Sequence, residues 1–330
     1  MRIAFLVNTL VELSITQSTT LMITRAVERG HEVWVVDVDR LGMSPDDHVT
    51  ASGVQLASRE TFDVDATVAA LRAGALKSLR LDELDVVLIR TNPGRDKARR
   101  WAHDTSLVFM GLLQRRGVLV LNEPRGLSQA NTKLYLSRLP AHLRPKTLVS
   151  RSPAEIVDFV TELPGGAVLK PLQGTWGQDV FMVRPGELFN LNQIIGVLLR
   201  DGYAMVQEFI PEAMEGDTRI VLMDGAPLEQ GGQIVAVRRL PGARDFRSNV
   251  SAGGSSAPAE WTPRMAEIAA TIGPMLAEDG IFLAGLDLIG DRIVEVNVFS
   301  TGGFHPAWRY YGREFTEAVI RRVEEKVAAR

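Results

Sequence analysis

The sequence predicts an α/β chain, with an open, Rossmann-like α/β region first and two α+β units after it. Three observations point there. Apolar strand-like runs alternate with helix-length segments over roughly the first 120 residues, as parallel strands and their covering helices do. A lysine-ended strand, a glycine-punctuated loop and a second strand occupy 167–183. A strongly apolar hairpin carrying isolated acids lies at 281–297. At 330 residues the chain exceeds one small core, so two or three domains are expected.

Ile3–Val7 reads as a buried strand, and Ser18–Arg29 as a helix stopped by Gly30. Glu32–Val38 is a second strand, apolar enough for a parallel sheet covered on both faces. A helix over Val64–Leu79 precedes the strand Asp85–Arg90, which ends in the turn-rich Thr91-Asn92-Pro93-Gly94-Arg95-Asp96. Open α/β sheets bind ligands at such carboxyl ends. Trp101–Arg116 is helical and Val118–Leu121 is a fourth strand, which sets a first domain at 1–123. It lacks Gly-x-Gly-x-x-Gly after the first strand and is not read as a dinucleotide site.

A second unit, 124–210, follows the boundary Asn122–Gly126. Its first helix, Leu127–Leu139, carries Lys133, and Thr147–Ser150 is a short strand. Ser152-Pro153-Ala154-Glu155 opens a helix with Ser at the N-cap, Pro at the first position and Glu three residues after the Ser. The strand ending at Lys170 runs into a loop with Gly174 and Gly177 and returns over Val180–Val183. A cation fixed beside a loop whose backbone N–H groups are open to approach suits a phosphate, although a hairpin with a surface lysine has the same pattern. Leu188–Arg200 is a helix, and Tyr203–Ile210 a strand halted by Pro211.

The third unit, 211–330, begins with the strand Asp217–Met223, turned at Asp224-Gly225 and paired with Gln233–Leu240. The Gly/Ser/Arg-rich stretch 241–256 has little to bury and is either a linker or a lid over anionic groups. After a helix at Pro263–Ala277 comes the acidic hairpin. With a three-residue turn at Gly290-Asp291-Arg292, Asp287 faces Glu295, and period-two alternation puts Asn297 on the same side. A two-residue turn would place the two acids on opposite faces. Two carboxylates and an amide oxygen together suit Mg²⁺ carried by nucleotide phosphates; a solvated hairpin face is the plainer alternative. Gly302-Gly303 could cradle a substrate group or simply cap a turn, and a helix over Arg313–Ala328 ends the chain.

Composition narrows the partners. A net charge of −3 argues against nucleic acid or an anionic membrane surface as a partner. With no cysteine there is no disulfide, Cys-zinc site or thiol nucleophile, which fits a cytoplasmic protein. The N-terminal apolar run is too short for a signal peptide, and no run approaches a membrane span.

Taken in order, Val168-Leu169-Lys170-Pro171-Leu172, Gly216-Asp217-Thr218-Arg219, Asn249-x-x-Ala252-Gly253-Gly254, and Gly285-Leu286-Asp287-Leu288-Ile289-Gly290-Asp291-Arg292 with Glu295-Val296-Asn297 resemble an ATP-grasp ligase, most closely bacterial glutathione synthetase. The resemblance covers nearly the whole chain. It implies an ATP-grasp fold formed by the second and third units behind a substrate-binding N-terminal domain. By matching position, Lys133, Lys170, Gly174 and Gly177 would hold ATP phosphates. Gln207, Glu208, Phe209 and Ile210 would line the adenine slot, with Asp217 near the ribose. Asp287, Glu295 and Asn297 would hold two Mg²⁺, or Mn²⁺. Arg219 and Arg239 (or the adjacent Arg238) would stabilise an acyl phosphate, and Arg247, Asn249, Gly253 and Gly254 would belong to the lid. Ala replacements of Asp287 and Glu295 are expected to abolish turnover with the fold intact.

The implied reaction joins a small-molecule acid and an amine through an acyl phosphate, in a dimer or tetramer. Three stretches depart from the family pattern. Arg90–Asp96 stands where Arg-Lys-Asp-Pro-Pro-Phe-Asp is usual, Gly174-Thr175-Trp176-Gly177 where Gly-Met-Gly-Gly is usual, and Phe299–Gly303 where Thr-Ser-Pro-Thr follows the metal asparagine. The first and third fall where the substrates should bind. A ligase of the same chemistry on another acid and amine, or a nucleotide-binding relative without catalysis, are the alternatives.

Overall fold

The computed structural model describes residues 1–56, 63–174, 177–242 and 253–330. In the N-terminal sheet β1 (Arg2–Val7) is central, parallel to β2 (Glu32–Met43) and to β5 (Val86–Ile89), which is parallel to β6 (Leu119–Leu121). Helices α1 (Ser18–Glu28), α2 (Val64–Ala73) and α3 (Arg100–Arg115) connect the strands. Two expectations change here. The second strand runs on to Met43 and returns antiparallel as β3 (Val49–Leu56). The helix expected to reach Leu79 ends at Gly74, and its tail is the edge strand β4 (Lys77–Arg80), whose Leu79 joins the core. The sheet order is β4-β3-β2-β1-β5-β6, parallel only on one side.

The helix drawn through Lys133 is also broken. α4 (Pro124–Gln129) stops, and Lys133 begins a separate 3-10 turn, Lys133–Arg138, capped by the Thr132 hydroxyl. The middle sheet, β7-β10-β8-β9, is antiparallel: β7 (Thr147–Ser150), β8 (Ala167–Pro171), β9 (Phe181–Val183) and β10 (Ala204–Glu208). The Ser152 side chain accepts from Glu155 N at the start of α5 (Pro153–Glu162), as the capping pattern predicts. α5 and α6 (Leu191–Leu198) cover this sheet, and its core, which includes Ile156, Leu169, Ile195 and Val206, is separate from the rest.

The C-terminal sheet runs β16-β15-β11-β17-β18, built from β11 (Asp217–Met223), β15 (Ala236–Leu240), β16 (Ser255–Pro258), β17 (Leu283–Ile289) and β18 (Arg292–Asn297). The short pieces β12 (Ala226–Pro227), β13 (Glu229–Gln230) and β14 (Gln233–Ile234) lie between. Against it pack α7 (Pro263–Glu278), α8 (Phe304–Tyr311) and α9 (Thr316–Ala328). Residues of the first and third sheets share continuous cores; Val87, Met110, Ile272 and Leu286 belong to one cluster. Asn122 fastens the seam: its Nδ2 donates to Leu283 O at 3.0 Å and Val298 O at 2.8 Å, and its Oδ1 accepts from Leu283 N at 2.7 Å. No described helix is long and apolar enough to cross a membrane.

Candidate active site

One face of the C-terminal sheet gathers the charged residues, and strand register explains why. Across β11 and β15 Asp217 faces Arg239; across β11 and β17 Arg219 faces Asp287; across β17 and β18 Asp287 faces Glu295 and Gly285 faces Asn297. Directly opposed residues share a face, and so do residues two apart. Arg239 therefore joins the cluster. Arg238 points away, donating to Glu215 O at 3.0 Å.

The turn before Glu295 is not the one expected. Ile289 pairs with Arg292, which makes it a two-residue turn at Gly290-Asp291. By itself that would split the two acids between faces. A β-bulge restores them: Leu288 pairs with Ile293, Asp287 with Glu295, and Val294 is the inserted residue between. The acid pair expected from the sequence is present, produced by a bulge in place of a longer turn.

Asp287, 2% exposed, is saturated with donors. Arg219 binds it through Nε to Oδ1 and Nη2 to Oδ2, both at 2.7 Å. Arg239 Nη2 lies 2.8 Å from Oδ2, and Asn297 Nδ2 is 3.1 Å from the same atom. Burial alone would raise the Asp287 carboxyl; the two arginines outweigh it and hold the group far below the usual carboxylate range. Burial likewise opposes the charge on Arg239, but Asp287 and Asp217 raise its pKa further; Arg239 Nε meets Asp217 Oδ1 at 2.5 Å. Gly216 makes this approach possible: a Cβ there would stand 2.0 Å from Arg239 O.

Glu295 is more open, with Lys133 Nζ at 3.6 Å from Oε1. Among the described residues no cluster of three or more His, Cys, Asp or Glu forms a metal cage. A hard divalent cation still fits the donor set of Asp287, Glu295 and the Asn297 amide, given phosphate oxygens to complete its shell. It would have to displace one arginine contact from Asp287 and present Asn297 through Oδ1.

Facing this sheet across a cleft is the middle unit. The cleft is lined by Lys133, Lys170, Gly174, Gly177, Gln207, Glu208, Phe209, Ile210 and Asp217, together with Arg239, Asp287 and Glu295. Lys133 ties the loop down through its backbone N to Leu172 O and its Nζ to Gly174 O, both at 2.9 Å. Gly174 and Gly177 have φ of 142° and 69°, conformations that disfavour a side chain. Lys170 is buried, and its Nζ lies 3.4 Å from Val294 O. Burial pushes its pKa down to about 8, partly offset by Glu295.

A second cavity, about 580 Å³, adjoins the first and shares Lys133, Gly174 and Glu295 with it. Its walls include Asn92, Pro93, Gly94, Lys97 and Arg100 from the N-terminal domain, Tyr203 from the middle unit, and Asn297 and Phe299 after β18. Arg90 lies at the carboxyl end of β5, 5% exposed, donating to Thr301 O at 2.9 Å and Thr19 Oγ1 at 3.2 Å. It has no carboxylate partner among the described residues, and burial pulls its pKa down to about 9, still protonated at neutral pH. The sequence reading placed the segment beginning at Arg90 near substrate but gave Arg90 no role. The available signal was an arginine ending an otherwise apolar strand. Thr301, Ser300 in a left-handed conformation and α8 beyond them were likewise not resolved from the sequence.

Arg219 reaches the site face without lining the first cleft, and Asn297 lines the second cavity. Gly253 and Gly254 lie ahead of β16 and line neither cavity. Arg247 and Asn249 lie outside the described residues, as does most of the stretch read as lid or linker.

The chain is similar to known proteins along nearly its whole length. Residues 1–128 match the family described as prokaryotic glutathione synthetase, N-terminal domain, and residues 132–310 its ATP-grasp domain. The chain is 33% identical over 340 residues to the glutathione synthetase of Synechococcus elongatus, covering 99% of each chain. It is 35% identical over 316 residues to that of Bradyrhizobium diazoefficiens, covering 94% of this chain and 93% of the relative. Among solved structures, D-cycloserine synthetase DcsG superposes with a TM-score of 0.64 at 17% identity, covering 97% of this chain and 99% of the other. The ATP-grasp ligase PsnB, complexed with minimal precursor, Mg and ADP, gives 0.62 at 15% identity, covering 98% of each. At these identities the structural matches show a shared fold.

Proposed function

The chain belongs to the prokaryotic glutathione synthetase family and is an ATP-dependent ligase that forms a C–N bond, and from that premise we propose that its acid is γ-glutamylcysteine and its amine glycine. The observation that supports the mechanism is the sharing of Lys133, Gly174 and Glu295 by two cavities, so that a nucleotide in the first would have its terminal phosphate beside the second, substrate-sized space. The N-terminal domain 1–123 supplies the outer substrate wall, the unit 124–210 the phosphate loop and adenine slot, and the unit 211–330 the charged sheet face.

A carboxylate oxygen of the acid attacks the γ-phosphorus of ATP, the bond to ADP breaks, and an acyl phosphate results. The amine then attacks the acyl carbon, phosphate leaves with the bonding pair, and the former ammonium gives up its protons as the amide forms. Lys133 and Lys170 hold the phosphates, while Gln207, Glu208, Phe209 and Ile210 enclose the base and Asp217 lies toward the ribose. Arg219 and Arg239, both held on Asp287, are the cations assigned to the oxygens on which charge accumulates, each turning from Asp287 toward them once a cation takes its place there. Asp287, Glu295 and Asn297 would hold Mg²⁺, as two ions, which would further neutralise the phosphate oxygens. Arg247, Asn249, Gly253 and Gly254 belong to a lid that excludes water from the acyl phosphate. Arg90, cationic and without a carboxylate partner among the described residues, receives a substrate carboxylate. A cytoplasmic dimer or tetramer completes the reading, checked by light scattering.

The departures at Thr91–Arg95 and Phe299–Gly303 favour a second reading, the same chemistry on a different acid and amine. Phosphate release from Mg-ATP separates the two. Release that needs both γ-glutamylcysteine and glycine, with glutathione formed, is expected. Release only with another pair replaces the substrates, and ADP binding with no turnover across a broad panel points to a silent relative.

A further inference from the structure

Behind the wall of the second cavity lies a histidine that the reaction does not use. His103, on α3, is 4% exposed, and its Nε2 lies 3.1 Å from Asp96 Oδ2. Arg99 Nη2 lies 2.8 Å from the same oxygen, and Arg99 Nη1 is 3.3 Å from Asp39 Oδ2. His103 Nδ1 is buried with no hydrogen-bond partner among the described residues. A protonated ring would bury an unpaired N–H there, so the neutral tautomer with its proton on Nε2 is favoured. Burial lowers the basicity of His103 in the same sense, although Asp96 pulls the other way. Nε2 therefore donates to Asp96.

Asp96 closes the segment that leaves β5. The segment's other end is fastened at Asn92, whose N–H donates to Asn8 Oδ1 at 2.6 Å and whose carbonyl accepts from Asn8 Nδ2 at 2.9 Å. Between the two anchors a 3-10 turn, Pro93–Arg95, presents Pro93 and Gly94 to the cavity, and Lys97 follows directly after Asp96. Neither His103 nor Asp96 is part of the cavity lining.

We propose that His103 is a positioning residue for the acid substrate: by holding Asp96 it fixes the Asn92–Lys97 wall before the substrate arrives. The proposal rests on placing the acid in the second cavity. A wall already ordered in the free protein costs little ordering entropy at binding, so its loss weakens the acid and leaves the nucleotide untouched.

His103→Phe keeps a ring and removes the donor; His103→Gln keeps an N–H donor. With γ-glutamylcysteine, glycine and Mg-ATP, His103→Phe is expected to raise KM for the acid about tenfold, with kcat and KM for ATP within about twofold. His103→Gln should recover most of that loss. An unchanged KM for the acid, or an equal rise for ATP, overturns the proposal. If His103→Phe does not fold, Asp96→Ala, which removes the acceptor, carries the same expectation. Should the wild-type protein turn over no acid, the functional reading fails by itself, and amide hydrogen exchange tests the wall directly. Exchange at 94–97 about tenfold faster in His103→Phe, with an unchanged melting midpoint, supports the anchor, and unchanged exchange sinks it.

Discussion

The two cavities meet at Glu295 but treat charge differently. On the nucleotide side the acids come with their own cations: Asp287 has Arg219 and Arg239, Asp217 has Arg239, and Glu295 has Lys133 nearby. Just before the segment that walls the second cavity, Arg90, which lines neither cavity, is buried with only a hydroxyl and a carbonyl as partners among the described residues. Lys170 is the exception on the nucleotide side, a buried amine whose nearest described acceptor is a backbone carbonyl. Pairing lets a dense charged face persist in the free protein, because an uncompensated buried ion costs several kcal/mol. A cation left without a carboxylate marks where a ligand's negative charge belongs. By that reasoning we assign Lys170 to a phosphate and Arg90 to a carboxylate, as proposed above.

The largest effects should come from the paired acids, and they divide the expectation that Ala variants keep the fold. Asp287→Ala and Glu295→Ala should each lower turnover by ~10³-fold or more. Asp287→Ala also leaves Arg219 and Arg239 facing each other and should cost about 3–5 kcal/mol of stability, seen as a lower denaturation midpoint. Glu295, a third exposed, should cost less than ~1 kcal/mol. Equal stability losses in the two variants would contradict the pairing described for Asp287.

Arg90→Met comes next. It should reduce kcat/KM for the carboxylate-bearing substrate by about 100-fold while ATP affinity, measured by calorimetry, stays within about twofold. Stability should change little, because relief of the buried charge opposes the loss of the bond to Thr301 O. A parallel loss of ATP affinity would erase the distinction between the two sides.

Lys170→Met should weaken ATP binding about 30-fold and at the same time stabilise the free protein by about 1–3 kcal/mol at pH 7, since it removes a desolvated ammonium. The smallest effect is on pH. With Lys170 near 8 in the nucleotide-free protein, phosphate binding needs the protonated amine and raises its pKa. Above pH 8 binding must take up a proton, so affinity should fall toward tenfold per pH unit, and stay level below about pH 7. The slope should vanish in Lys170→Met; a slope that persists there assigns the titration elsewhere.

Much of this was legible in the chain because it is local. The Ser152 cap, the strand ending at Lys170 and the period-two spacing of Glu295 and Asn297 depend on neighbours a few residues away. Continuous apolar runs marked the strands β1 and β5 for the same reason. The helix tail that is β4 and the helix broken before Lys133 were misread because short stretches satisfy either period until a neighbouring strand or loop claims them. Asp287 and Glu295 were paired correctly through a turn of the wrong length, since the bulge at Val294 preserves the facing that burial of one sheet face demands.

The sequence by itself therefore determined the family and the order of most elements, and it supplied the residue types proposed for the nucleotide side, all carried by short motifs with fixed spacing. Only the tertiary structure decided which charges neutralise which. The choice of Arg239 over Arg238, the two arginines on Asp287, the burial of Arg90 and the anchoring of Asp96 by His103 join residues from different strands or turns. Their energies depend on distance and on water removed from between them, and neither quantity exists until the sheets and helices have packed.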